Sequence, residues 1–322
     1  MTTKIVLDVD TGIDDTLAIL TACHAPEAEL LACTTTWGNI DVGQAARNTA
    51  YVLALAGHGD VPVAIGAEGP YAGGEAVEFA VHVHGEDGQG GRADLRYAPE
   101  LATDSAVELL LRLSREHQGD LEIVAVGPLT NLAHALDADP GLASRVRGVT
   151  IMGGTSFVPG NVTPGAEANI WHDPEAARRV FEASWPVTMV GLDVTMRSRV
   201  TDEHRSRLAA GGPAARYAAD ILDFYLGFYE GLTGERASAN HDALALGVAV
   251  GLVETVVAPV VDVEIDTTDG PNRGRTVADL RGMWRGWPVV EGARHRVVLE
   301  VVPGFEERMI DLIAGAEDQN SR

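Results

Sequence analysis

The sequence predicts an α/β fold, an open, mainly parallel (mixed) sheet flanked by helices. Three observations predict it. Runs with strand character alternate with helical patterns over nearly all of the 322 residues. The strand-like runs, such as 4–9 and 121–126, are short, apolar and rich in β-branched residues, as buried strands are. Polar residues able to carry chemistry fall where those runs end, and ligands of open α/β sheets bind beyond the carboxyl ends of the strands. No repeat, low-complexity tract or linker breaks the pattern, so one domain over residues 1–322 is expected.

The elements follow in order. Ile5-Val6-Leu7-Asp8-Val9-Asp10 reads as a strand, turns at Thr11-Gly12 and continues as a helix through Leu17, Ile19 and Leu20. Residues 29–36 form the second strand, ending at Trp37-Gly38-Asn39. A helix from 41 or 42 to 56 is closed by Gly57, and 61–65 is a short strand. Residues 66–99 hold many glycines without apolar periodicity and read as a long mobile loop, a feature usually tied to function. A helix over 103–117 is capped by Thr103 or Asp104, and the strand at 121–126 runs into Gly127-Pro128-Leu129-Thr130-Asn131, where another helix starts. After the strand at 149–152, Asp173-Pro174 supplies an N-cap acid and a first-turn proline. A strand spans 187–192, and 201–253 is helical with a break near 233–238. The apolar tract 243–265 is interrupted by Gly247, Gly251, Glu254, Pro259, Asp262 and Glu264, so it reads as a buried helix followed by a strand rather than a membrane span. A strand at 296–302 and a helix from about Phe305 complete the chain.

Four carboxylates, Asp8, Asp10, Asp14 and Asp15, crowd the first strand-to-helix turn. Stability needs no such crowding, because close acids repel and raise one another's pKa. A divalent cation resolves it, and an all-oxygen donor set suits Ca²⁺ or Mg²⁺. Capping by Asp14 would explain one or two of the acids. An EF-hand is excluded by Gly12 and Ile19 at positions that should be polar or acidic. An Asp-x-Asp phosphatase with Asp8 as nucleophile would also want a downstream lysine, and Lys4, the only lysine, precedes the acids.

Two further clusters stand out. Asn161, Glu167 and Asn169 lie in a turn-rich stretch running into Asp173-Pro174; such side chains suit sugar hydroxyls, although Asn161 could simply serve a turn. Asn240-His241-Asp242 opens an apolar helix, where Asp242 is either a cap or a metal ligand and His241 either a surface residue or an acid.

The net charge of −23 argues against a nucleic-acid backbone as partner. No apolar leader precedes the first strand, and the two cysteines, Cys23 and Cys33, read as thiols of a cytoplasmic protein.

Asp-Val-Asp-Thr-Gly-Ile-Asp-Asp-Thr at 8–16, together with the two later clusters in the same order, resembles the inosine-uridine preferring nucleoside hydrolases over residues 4–246. The resemblance implies a Rossmann-like nucleoside hydrolase fold, a homodimer or homotetramer, and Ca²⁺ held by Asp10, Asp15, the Val126 carbonyl and Asp242. It assigns ribose contacts to Asp14, Asn39, Asn161, Glu167 and Asn169, with Met152 lining the sugar pocket. It makes Asp10 the general base and His241 the acid for the leaving base, with His84 a second candidate. Tyr225 and Tyr229 match aromatics that contact the base, although helical spacing also suits a buried face. Val126 stands where the family often has Thr, and Gln89 where an apolar loop residue is common. The expected reaction is hydrolysis of a ribonucleoside N-glycosidic bond by inverting attack of water. A non-catalytic nucleoside or ribose sensor on the same fold is the alternative.

Overall fold

The first six strands of the main sheet are short, mostly apolar runs that give way to polar or glycine turns, which lines the functional residues along one edge. The computed structural model describes residues 2–74 and 79–315. Up to residue 195, β1 (Thr3–Val9), β2 (Ala28–Thr35), β3 (Val63–Ile65), β4 (Leu121–Ala125), β5 (Gly148–Met152) and β6 (Val187–Val190) alternate with helices. These are α1 (Ile13–His24), α2 (Val42–Leu55), α3 (Val81–His84), α4 (Ala106–Glu116), α5 (Thr130–Ala138), α6 (Leu142–Arg145), α7 (Ala168–His172), α8 (Pro174–Phe181) and α9 (Leu192–Thr195). The chain then adds β7 (Arg199–Thr201), α10 (Asp202–Ala209), α11 (Pro213–Thr233), β8 (Ala237–Ala239) and α12 (Asp242–Val250). The short strands β9 (Thr255–Val257), β10 (Val260–Val261), β11 (Val263–Ile265), β12 (Thr276–Ala278), β13 (His295–Val297) and β14 (Glu300–Val301) precede α13 (Phe305–Ala314).

The eight-stranded sheet has the order β10-β13-β6-β5-β4-β1-β2-β3. All its pairings are parallel except β10 with β13. The order reverses between β1 and β4, and a crevice opens at such a point in doubly wound sheets. Successive side chains of β1 enter opposite cores: Ile5, Leu7 and Val9 pack in one with α1, α11 and α12, while Val6 packs in the other with α4, α5 and α8. Burial on both faces explains why the strands read as near-continuous apolar runs.

Several boundaries differ from the sequence expectation. Ser105, not Thr103 or Asp104, caps α4, because its hydroxyl accepts the Glu108 N–H while Glu108 reaches back to the Ser105 N–H. The strand expected at 187–192 ends at Val190, since Gly191 turns the chain into α9. The break in the 201–253 helical stretch is a strand, β8, paired antiparallel with β7. The strand expected at 296–302 is split between two sheets, β13 on β6 and β14 on β9.

The glycine-rich stretch is more ordered than expected. Residues 75–78 lie outside the described residues, but the stretch contains α3, and its 84–89 segment packs down, with His84 4% and Gln89 0% exposed. Asp87 gives it shape by accepting the N–H groups of Gln89, Gly91 and Ala93, each at 2.9 Å.

Candidate active site

Asp10 follows β1 and Val126 follows β4, so the two stand side by side at the point where the strand order reverses. Helix α1 begins where it does because Asp15 turns back on the chain, its carboxylate accepting the N–H groups of Gly12 (2.8 Å) and Asp10 (3.2 Å). The capping acid is therefore Asp15 rather than Asp14. Asp10 Oδ2 accepts the Asn39 N–H at 2.6 Å, and Asn39 Nδ2 donates to Asp15 at 3.3 Å. Glycine is required at position 38, where φ is +154° and a Cβ would run into the Asp10 carboxylate.

Asp242, the first residue of α12, arrives from the other end of the chain. Asp14, Asp15 and Asp242 each place one carboxylate oxygen within 4.8 Å of the others. Burial and then the neighbouring Asp14 push Asp15 up to about 7. Asp10 and Asp242 rise well above the usual carboxylate range, chiefly through burial and secondarily through the other acids. Among the described residues, the only basic side chain in ion-pair reach of these acids is His84, its Nδ1 3.8 Å from Asp14 Oδ1. Asp10 Oδ1 and Asp14 Oδ1 are buried without a hydrogen-bond partner among the described residues. Orphaned, oxygen-only donors of this kind fit a hard divalent cation such as Ca²⁺ or Mg²⁺. The closest trio differs from the expected ligand set by including Asp14, while the Val126 carbonyl accepts Asn169 Nδ2 at 2.9 Å.

Across from the acids, α11 and the loop supply an aromatic wall. Tyr225 donates to Asp14 Oδ2 at 3.2 Å, and His84 stacks on its ring with centroids 5.5 Å apart. The Tyr229 hydroxyl lies 2.8 Å from His241 Nε2, and the Thr195 hydroxyl lies 2.8 Å from Nδ1. Both histidines are buried, which lowers their pKa, while Asp14 acts in the opposite direction. The sequence reading missed Thr195, which ends α9 just beyond the C-terminal end of β6; that position was the available signal. Asp193 itself anchors a loop by accepting the Ser156 and Phe157 N–H groups.

Glu167 caps α7, accepting the N–H groups of Asn169 (2.9 Å) and Ile170 (3.3 Å), and also that of Gly154 (2.9 Å). Burial nevertheless pushes it up to about 7. The Asn169 amide bridges the carbonyls of Val126 and Met152, which brings those three residues together. Asn161 does not join them: it is exposed and its Oδ1 accepts the Ala168 N–H at 3.0 Å. The reason is local, since residues 156–165 contain no helix or strand and leave Asn161 on the surface.

Asp8 is not available as a nucleophile. It is fully buried, holds Thr34 (2.5 Å) and Asn131 (2.8 Å), and is pushed up to about 6 by burial. The phosphatase reading thereby loses its attacking group.

Known proteins share both the fold and the sequence pattern. The inosine-uridine preferring nucleoside hydrolase profile matches residues 5–301. This chain belongs to that family. It is 40% identical over 288 residues to the inosine-uridine preferring nucleoside hydrolase of Leishmania major, covering 87% of this chain and 89% of that one. It is 38% identical over 246 residues to uridine nucleosidase 1 of Arabidopsis thaliana, covering 75% and 72% of the two chains. A purine-preferring ribonucleoside hydrolase from Gardnerella vaginalis superposes with a TM-score of 0.87 at 33% identity over 97% of this chain and 98% of that one. A plant nucleoside hydrolase reaches the same TM-score at 30% identity over 98% and 99%. Membership of the nucleoside hydrolase family makes the chain an enzyme that cleaves N-glycosyl bonds. Among its described residues no helix is long and apolar enough to cross a membrane.

Proposed function

We propose that this enzyme hydrolyses ribonucleosides of the inosine and uridine type to ribose and free base, using Ca²⁺ held by Asp10, Asp15, Asp242 and the Val126 carbonyl. One observation carries the reading: a buried set of acids with orphaned oxygens faces a wall of tyrosine and histidine across the sheet's reversal point. When bound, the cation would offset the acids' repulsion, acidify a water and align the ribose diol.

The chain's own groups do the rest. Asp10 takes the water's proton at its free Oδ1, while the Asn39 N–H fixes Oδ2. The water oxygen bonds to the anomeric carbon as the bond to the base nitrogen breaks, with inversion as in inverting glycosidases. Asp14 and the amides of Asn39 and Asn169 serve the ribose hydroxyls and the charge that develops on the sugar. Glu167 keeps acceptor capacity beyond its three backbone donors and takes the 5′ hydroxyl. Asn161 would act only after its loop turns inward. Met152 lines the sugar pocket. His241, oriented at both ring nitrogens by Tyr229 and Thr195, protonates the departing base. His84 and Tyr225 close over the base and exclude water.

The test is ribose release from inosine, uridine, cytidine and adenosine with and without a calcium chelator. Release that the chelator suppresses and Ca²⁺ restores is the expected result. No release from any substrate would favour the non-catalytic sensor, and release indifferent to the chelator would remove the cation. Two free cysteines, Cys23 and Cys33, support a cytoplasmic setting.

A further inference from the structure

A loop that merely covers a site needs no buried amide, since burying one is costly unless each of its polar atoms is paired. Gln89 is fully buried in the glycine-rich loop and is paired throughout. Its Nε2 donates to the carbonyls of Gly12 and Gly88, each at 2.8 Å. Its Oε1 faces the Thr16 hydroxyl at 3.0 Å and the Tyr217 hydroxyl at 3.1 Å. The reversed amide would set Oε1 against two carbonyl acceptors, so the environment fixes this orientation.

These partners belong to three segments. Gly12 and Thr16 flank Asp14 and Asp15 on α1. Tyr217 lies two turns before Tyr225 on α11. Gly88 belongs to the loop that carries His84. The loop is preformed around Asp87, and Asn48 adds a second tie by donating to the carbonyls of Asp87 (2.9 Å) and Thr11 (3.2 Å).

We propose that Gln89 is a positioning residue for the reaction: it registers the 84–93 loop on α1 and α11 at once, so that His84, Tyr225 and the acids are held as one preorganised wall before substrate binds. A leucine of similar size would fill the space but remove the contacts to the Thr16 and Tyr217 hydroxyls and to the Gly12 and Gly88 carbonyls. The docked state would then be only fractionally populated, and apparent affinity falls by that fraction.

The test compares Gln89→Leu, Tyr217→Phe and the double variant with the wild type. Two readouts are used: hydrogen exchange of residues 84–93, and kcat and KM for ribose release from inosine, the latter resting on the reaction proposed above. Gln89→Leu is expected to speed exchange and raise KM about tenfold with kcat changed less than about twofold. Tyr217→Phe is expected to shift both readouts the same way by less. The double variant should be no worse than Gln89→Leu, because the two residues act through one contact. Wild-type exchange in Gln89→Leu would overturn the proposal, as would a lower kcat at unchanged KM. If Gln89→Leu gives no cooperative melt, Tyr217→Phe carries the test by the same criteria. Failure of the wild type to release ribose would overturn the reaction and leave the exchange measurement to decide on Gln89.

Discussion

His84 Nδ1 lies 3.1 Å from the Ile13 nitrogen and accepts its amide hydrogen. A residue from the glycine-rich loop thereby satisfies one of the free N–H groups in the first turn of α1, the turn that also carries Asp14 and Asp15. A neutral imidazole with an accepting Nδ1 keeps its hydrogen on Nε2, so His84 is a donor there.

Gly12 makes room for this contact. Its backbone, at φ −89° and ψ −158°, suits any residue, but a Cβ would stand 2.6 Å from His84 Nδ1 and 2.9 Å from Asn39 Nδ2. Gly12→Ala is expected to displace the loop and lower kcat/KM about 10²-fold through misplacement alone, with little loss of Tm. Steady-state kinetics beside a thermal melt checks it; wild-type kinetics would refute the assignment.

Asp10 and Asp8 are two residues apart yet differ in their surroundings. Asp10→Ala should abolish ribose release and weaken Ca²⁺ binding measured by calorimetry. Asp8→Asn, which alters a buried group bonded to Thr34 and Asn131, should leave kcat within about tenfold of wild type. Near-normal turnover by Asp10→Ala would sink its assignment as base.

His241→Ala should lower kcat by ~10²–10⁴ with inosine and uridine. A riboside carrying a nitrophenolate leaving group, which departs unprotonated, should lose much less. Equal losses on all three substrates would point to a structural part for the ring, and unchanged rates would remove it from the mechanism.

Stability without a divalent cation should depend on pH. Folding raises Asp15 and Glu167 to about 7 and Asp8 to about 6, against ordinary values near 4. A carboxyl raised by folding binds its proton more tightly in the folded state. Its contribution is present below the unfolded value and is lost as pH rises through the folded one. In chelator, Tm is therefore expected to fall by about 5 °C or more between pH 5 and 8. Added Ca²⁺ should flatten that slope by pairing with the acids, and a flat profile in chelator would contradict the buried-acid picture.

Local pattern settled much in advance. Continuous apolar runs marked six parallel strands because burial on both faces leaves no polar alternation to obscure them. The Asp8–Asp15 crowding marked a cation site because repulsion among neighbours in sequence is visible without a fold. Asp173-Pro174 marked the start of α8, where the Asp173 side chain accepts the Ala176 N–H.

Other features depend on partners distant in sequence. Asp242 joins the acids only because α12 packs its first turn against α1. Thr195 reaches His241 across 46 residues and Gln89 reaches Tyr217 across 128, and neither residue carries a local signal of its partner. The loop's glycines read as mobility, whereas Asp87, Asn48 and Gln89 pin it down through bonds to backbone groups that any sequence would offer. The sequence by itself determined the sheet, the acid cluster and the class of chemistry, since these follow from residue type and short-range spacing. Only the tertiary structure decided which acids meet, which hydroxyls orient His241 and how the loop is fastened, because those depend on contacts made when distant segments pack together.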